Sequence, residues 1–383
     1  MRAVATPSAD GSFPLSAVSA PAQIGPYPRR TEAPLELENP SAARSRYLSP
    51  LRYPGAKSGL VPVIEDLLMA SRPSIGQISL LVEPFAGGAS TALRLAAVGV
   101  VERVLLADAD PLVARFWQVA AADSDWLIDR MYEEPVTLER WDYWRSWHPR
   151  RENDRDLAVK CLFLNRTTFS GILHGRAGPI GGRRQESRYK IDCRFNKDAL
   201  AQRIRFVGEL YSKNRIVDVW CKDWQDTLHD VAEWYPDLLP NRVLAYLDPP
   251  YVAKSETLYG RSFDPAGGYS AARQGMGISG WEKGREHYRL AEYLRRKAQY
   301  RWILSYDRDD CLLEDPGLYA ASRMTPDPAD RDSIGVKSWY ISKRLVDLKY
   351  TVAGFGKNGR AAELLFTTLP ARCVPLGENI RAV

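Results

Sequence analysis

Four acidic residues stand where short apolar runs stop. The runs "ISLLVEPF", "RVLLAD", "IVDVWC" and "VLAYLDPP" end at or beside Glu83, Asp108, Asp223 and Asp248, and the first continues into a small-residue turn, Phe85-Ala86-Gly87-Gly88. In open α/β sheets, ligands sit beyond the carboxyl ends of the strands. Acids at successive strand ends with one glycine turn suit a nucleoside, because carboxylates accept from ribose hydroxyls and glycine lets backbone approach closely. Phosphate binding finds no support: "EPFAGGAS" is not G-x-G-x-x-G, and "PGAKSG" lacks the first glycine of a Walker A loop. Taken singly, each acid reads more simply as a helix cap or a surface group. The set tells more than its members. The last run also poses its own question, because it stops on Asp248-Pro249-Pro250-Tyr251, an acid followed by two residues that stiffen the turn and lack N–H groups.

Those strand ends need a sheet to bring them together. From Leu48 onward, β-rich runs, including "RWILSYD", alternate with helical stretches, which predicts α/β architecture with a doubly wound, mostly parallel sheet. Between the first two strands, "GGASTALRLAAVG" predicts a helix opened by Ser90 or Thr91 and stopped by Gly99.

The chain has 383 residues, 45% of them hydrophobic, which is enough for a full core in one large or two modest domains. Its net charge of +6 favours an anionic partner without identifying one. Five cysteines without a C-x-x-C pair give neither a disulfide framework nor a zinc site, and a reducing cytoplasm fits them best. His148, His174, His229 and His287 show no paired ligand spacing, so no metal and no role is assigned to them. No apolar stretch approaches the roughly 20 residues of a membrane helix. Residues 1–45, rich in Pro, Ala and Ser, read as a disordered leader and not as an export signal.

The order of five segments carries a resemblance. "LRYPGAK", "LVEPFAGGAS", "LLADADPLVARFW", "LDPPY" and "ILSYD", with "FLNRTTFSGIL", "SRYKIDCRFNKDAL", "EHYRLAEYLRR" and "RAAELLFTT" in support, resemble the Dam-like family of S-adenosylmethionine-dependent DNA adenine-N6 methyltransferases. The likeness runs from about Leu48 to about Thr368. It implies a Rossmann-like methyltransferase fold with an inserted, mainly helical target-recognition domain, and S-adenosylmethionine as cofactor. The implied cofactor-binding residues are Tyr53, Lys57, Glu83, Phe85, Ala86, Gly87, Asp108, Asp223 and Asp248. Within that set Asp108 holds the ribose, and Asp223, followed by Trp224, sits at the adenine. The family's double glycine before the lysine is here Gly55-Ala56, and its asparagine after the ribose acid is Asp110.

In this reading the Asp-Pro-Pro-Tyr turn is catalytic through Asp248, Pro249, Pro250 and Tyr251. An exocyclic adenine amine is a poor nucleophile because its lone pair is conjugated with the ring. Acceptance of its two hydrogens by Asp248 and the Pro249 carbonyl turns the lone pair toward the methyl donor. Tyr251 then stacks on a base flipped out of the duplex. A cytosine-N4 methyltransferase, which more often shows serine before the prolines, and a nucleic-acid-binding protein without catalysis are the alternatives.

The span from Asp108 to Asp223 exceeds what a simple crossover needs, so residues 126–214 are expected to form the inserted DNA-binding domain. Residues 46–125 and 215–370 then make the catalytic domain, and 371–383 a tail. Arg176, Arg183, Arg184, Arg188 and Lys190 lie in a basic stretch suited to a phosphate backbone, where "GRAGPIGGRR" reads as a loop that orders on double-stranded DNA. Trp141, Trp144 and Trp147, at three-residue spacing, are assigned to packing. The Gly-rich loop at 259–280 reads equally as a segment that closes over the flipped base or as a disordered surface loop. The resemblance also implies a bacterial or phage cytoplasm with nucleoid association and leaves room for a cognate restriction endonuclease; the oligomeric state is not legible.

Overall fold

The computed structural model describes residues 33–37, 48–52, 59–147, 154–174, 177–250, 285–324, 339–350, 359–374, 377 and 379–383. Tyr53, Lys57, Arg176, Tyr251, the 259–280 loop and most of the 1–45 leader lie outside them. Within that leader, residues 33–37 are held at the turn before the third strand, where the Leu35 N–H donates to the Lys213 carbonyl at 2.9 Å.

Among the described residues, eight strands form one sheet flanked by ten helices. The strands are β1 (Ile78–Glu83), β2 (Val101–Asp108), β3 (Ile216–Cys221), β4 (Val243–Leu247), β5 (Arg301–Asp307), β6 (Ser342–Tyr350), β7 (Gly359–Thr367) and β8 (Ile380–Ala382). Their order is β3-β2-β1-β4-β5-β7-β6-β8. The first five run parallel, while β7, β6 and β8 add an antiparallel edge that alternation alone does not predict. The chain lays β2 and β3 on one side of β1 and returns to the other side with β4. That reversal between β1 and β4 opens a crevice at the carboxyl ends of the strands, where open α/β sheets take their ligands.

The central strands are apolar on both faces because both faces are covered. Leu81, Leu106, Leu244, Tyr246 and Ile303 point into one apolar layer with α1 (Val61–Ile75), α2 (Ser90–Ala97), α3 (Pro111–Ala122), α4 (Ser124–Glu133), α5 (Leu138–Ser146), α6 (Asp154–Thr167) and α7 (Lys197–Ser212). Val82, Leu105, Ala245, Leu247 and Leu304 alternate into the other, against α8 (Trp224–Trp234), α9 (Arg285–Arg296) and α10 (Cys311–Glu314). Each fully buried Leu, Ile or Phe contributes about 1.5–3 kcal/mol by leaving water.

The long excursion between β2 and β3 contains α3 to α7. Helix α3 starts at Pro111 with Asp110 as cap, its Oδ1 accepting from the Leu112 N–H at 2.9 Å. Helix α7 is capped by Asn196 in the same way. Trp141 and Trp144 are buried, and Trp147 is partly buried against the same layer, consistent with packing. No helix among the described residues is long and apolar enough to cross a membrane.

Candidate active site

Helix α2 lacks the side-chain cap that "GGAST" predicts. It begins at Ser90, but its cap position is Ala89, in the left-handed region at φ 46° with no side-chain bond. The missing acceptor comes from the preceding strand: Glu83 at the end of β1 accepts from the Ala92 N–H at 3.3 Å through Oε2. Glu83 is only 3% exposed. Burial first, and then the negative charge of Asp248, push its carboxyl well above the usual carboxylate range.

The turn between Glu83 and α2 is clamped on three sides. The Ala86 N–H donates to the Ala107 carbonyl at 2.9 Å, the Gly87 N–H donates to Asp108 Oδ2 at 2.9 Å, and the Gly87 carbonyl accepts from Trp117 Nε1 at 2.9 Å. Gly87 takes φ 43°, which favours glycine. Ala86 is buried, and Phe85 packs partly buried against the second apolar layer.

Asp108 closes β2. Its Oδ1 accepts from the Asp110 N–H at 2.9 Å. Burial, then the charge of Asp110, raise its carboxyl from 3.8 to about 7; the two backbone donors and His174 pull the other way.

On the opposite side of β1, Asp248 and Pro250 are half-buried and Pro249 is buried just beyond β4. The Ser305 hydroxyl of β5 lies 3.3 Å from Asp248 Oδ1 and 3.4 Å from the Leu247 carbonyl oxygen. Tyr246 Oη stands 3.0 Å from the same hydroxyl. The strand therefore ends in a turn braced from β5 as well as stiffened by its prolines.

Glu83 senses both Asp108 and Asp248 electrostatically, so three of the four expected acids converge on the crevice. Such a site accepts from hydroxyls and amines, and its carboxyls, where ionised, favour a cation and repel phosphate. Asp223 follows β3 and uses Oδ1 to cap α8, accepting from the Asp226 N–H at 2.9 Å. Trp224 turns inward, buried, with Nε1 3.3 Å from Glu286 Oε2.

Two buried residues to which spacing assigns no role fix the segment leading to residue 53. Asn165 Oδ1 accepts from the Arg52 N–H at 2.7 Å, and its Nδ2 donates to the Arg52 carbonyl at 2.6 Å. Arg166 Nε donates to the Pro50 carbonyl at 2.7 Å. A Cβ at Gly171, which sits at φ 77°, would meet the Arg52 carbonyl at 2.6 Å, so glycine is required there. The available signal is the polar Asn-Arg pair closing the apolar run of α6. His174 pairs with Asp110 at 2.6 Å; no local spacing reveals a partner so distant in sequence.

Of the basic residues, Arg184, Arg188 and Lys190 are exposed. Arg183 is exposed too, but it reaches Asp142 of α5 at 2.6 Å and lies over the Trp141 ring. Composition predicts a loop that orders on DNA; residues 177–191 are instead already folded around Gln185. That side chain donates to the Ile180 and Gly182 carbonyls and accepts from the Ile191 N–H. Side-chain hydrogen bonds do here what helix or sheet does elsewhere. Where spacing predicts no metal centre, the described residues hold one candidate group, His229, Asp230 and Glu233 on α8, with His229 and Glu233 exposed. His229 and Glu233 form an i,i+4 pair at 3.2 Å, as on a solvated helix face.

The family described as D12 class N6 adenine-specific DNA methyltransferase matches residues 53–269, more than half of the chain. The match takes in the glycine turn, Asp108, the excursion between β2 and β3, and the turn at Asp248. No curated protein matches the chain.

Proposed function

This chain belongs to the D12 class N6 adenine-specific DNA methyltransferases, and from that membership we propose that it methylates a flipped adenine in double-stranded DNA with S-adenosylmethionine as donor. The observation that carries the residue assignment is the convergence of Glu83, Asp108 and Asp248 around the turn at Gly87. The donor set fits that cofactor: Asp108 offers acceptor oxygens to ribose hydroxyls, the Phe85-Ala86-Gly87 turn offers close backbone, and a cationic sulfonium favours the ionised form of the acids beside it. Bound S-adenosylmethionine supplies an activated methyl group.

The chain's own residues do the rest. Asp248 and the Pro249 carbonyl accept the two hydrogens of the target amine and turn its lone pair toward the methyl donor. Ser305 keeps Asp248 in place. Tyr251 stacks on the extruded base; Tyr53 and Lys57 complete the cofactor pocket, and Asp223 lies toward its adenine. Residues 126–214 act as the target reader, with Arg176, Arg183, Arg184, Arg188 and Lys190 along the phosphates. The setting is the cytoplasm, where the enzyme acts on nucleoid DNA, alone or beside a restriction endonuclease.

Calorimetry with S-adenosylmethionine tests the cofactor assignment: Lys57→Ala and Asp108→Ala are each expected to weaken binding about tenfold or more, the loss of a charge-assisted hydrogen bond. Unchanged affinity in both folded variants overturns it. Sequencing of DNA from cells producing the protein, with detection of N6-methyladenine, reads the reaction and its target sequence together.

A further inference from the structure

The expected insertion and the acid at the end of β2 meet through a pair of side chains. His174 Nε2 lies 2.6 Å from Asp110 Oδ2, both partly buried. The Asp110 N–H donates to Asp108 Oδ1 at 2.9 Å, and Asp108 Oδ2 accepts from the Gly87 N–H at 2.9 Å. One line of contacts thus runs His174, Asp110, Asp108, Gly87. An asparagine at 110 would cap α3 as well as an aspartate does. The cap therefore leaves unexplained why a second carboxylate stands beside a crowded one, where like charges oppose each other. His174 supplies the reason, because its ring nitrogen makes a hydrogen bond to the Asp110 carboxylate that is stronger than one to a neutral amide.

Other titratable groups face this pair from neighbouring elements. On α6, Lys160 donates to the Trp147 carbonyl and is pushed down to about 8 by burial and Arg145. Cys161 is buried, and burial with the charges of Asp110 and Asp108 keeps its thiol protonated. From α5, Arg145 donates to the Leu173 carbonyl at 3.0 Å, one residue before the histidine.

We propose that His174 is a positioning residue for the cofactor site, acting through Asp110 to set the charge and orientation of Asp108 and so tying cofactor affinity to the segment that enters the DNA-facing loop. The proposal rests on the assignment of Asp108 to the ribose.

Carbon-13 titration of the aspartate carboxyls in the ligand-free full chain reads Asp108 directly. His174→Gln is expected to raise the Asp108 midpoint and Asp110→Asn to lower it by more. In the Asp110→Asn background, His174→Gln is expected to move it less, because only the direct charge effect of His174 on Asp108 remains. Calorimetry with S-adenosylmethionine across the neutral range should show the acid limb of binding displaced in the same directions. A histidine that merely supported the fold would lower the melting temperature without moving the midpoint. A midpoint unmoved by His174→Gln, or moved equally with and without the Asp110 carboxylate, overturns the proposal while leaving cofactor binding intact. A wild-type chain that binds no S-adenosylmethionine although the midpoints move overturns the ribose assignment and, with it, the claim on affinity.

Discussion

Asn165 grips the backbone of Arg52 from both sides, accepting from its N–H at 2.7 Å and donating to its carbonyl at 2.6 Å. Asn165 is fully buried at the end of α6 and Arg52 is the last described residue before the Tyr53–Lys57 motif. One side chain thus joins the excursion between β2 and β3 to the entry of the proposed cofactor pocket.

Asn165→Ala leaves buried backbone groups without their partner, so it is expected to cost about 1–3 kcal/mol of stability. Because Arg52 loses its anchor, affinity for S-adenosylmethionine should fall as well. Denaturant unfolding and calorimetry on the same preparation check both parts; unaltered affinity would limit Asn165 to the fold.

Asp248→Ala removes an acceptor directed at the amine in the transition state. A folded variant is expected to transfer methyl on the order of a hundredfold to a thousandfold more slowly in single turnover at saturating cofactor. Ser305→Ala, which removes the brace on Asp248 together with the hydroxyl's contacts to the Leu247 carbonyl and Tyr246, should slow the same step less. Tyr251→Ala should lose about 1–3 kcal/mol of base stacking. Asp248→Ala methylating adenine at the wild-type rate would show the turn to be merely a strand end.

Asp108 has an inverted pH signature. Its carboxyl is raised from 3.8 to about 7, so the folded chain holds a proton there that the unfolded chain releases. The stabilising effect of that proton is complete below about 4 and is lost as pH rises through about 7. The stability of wild type relative to Asp108→Asn, whose amide can accept from only one of the two backbone N–H groups, is therefore expected to fall as pH rises through about 7, while the variant binds S-adenosylmethionine more weakly. Melting curves across pH decide this, and a constant offset would contradict it.

Arg184 and Arg183 should differ in their DNA contribution. Arg184→Glu is expected to weaken DNA binding and flatten its dependence on salt by about one counterion or more. Arg183→Glu faces Asp142 as a like charge and removes a cation that Asp142 already partly neutralises; it should change the salt slope less and stability more. Fluorescence anisotropy at several salt concentrations separates them, and identical slopes in both variants and wild type would make the loop a solvated surface.

Local chemistry was legible in the sequence. Apolar runs stopped by acids located β1 to β5, because strands buried on both faces leave continuous hydrophobic stretches. The Asp-Pro-Pro-Tyr turn, the glycine turn and Asp108 carry the family resemblance in the sequence itself, and Trp141 and Trp144 pack as their spacing predicts. What the sequence could not supply was pairing between distant segments. The antiparallel edge of β7, β6 and β8 comes from β–β contacts that periodicity does not specify. Glu83 as the cap of α2, Asn165 at Arg52 and His174 at Asp110 join residues whose types are ordinary and whose partners stand on other elements. Only the tertiary structure decides such pairs, because a buried polar group must find a partner wherever the fold brings one within reach.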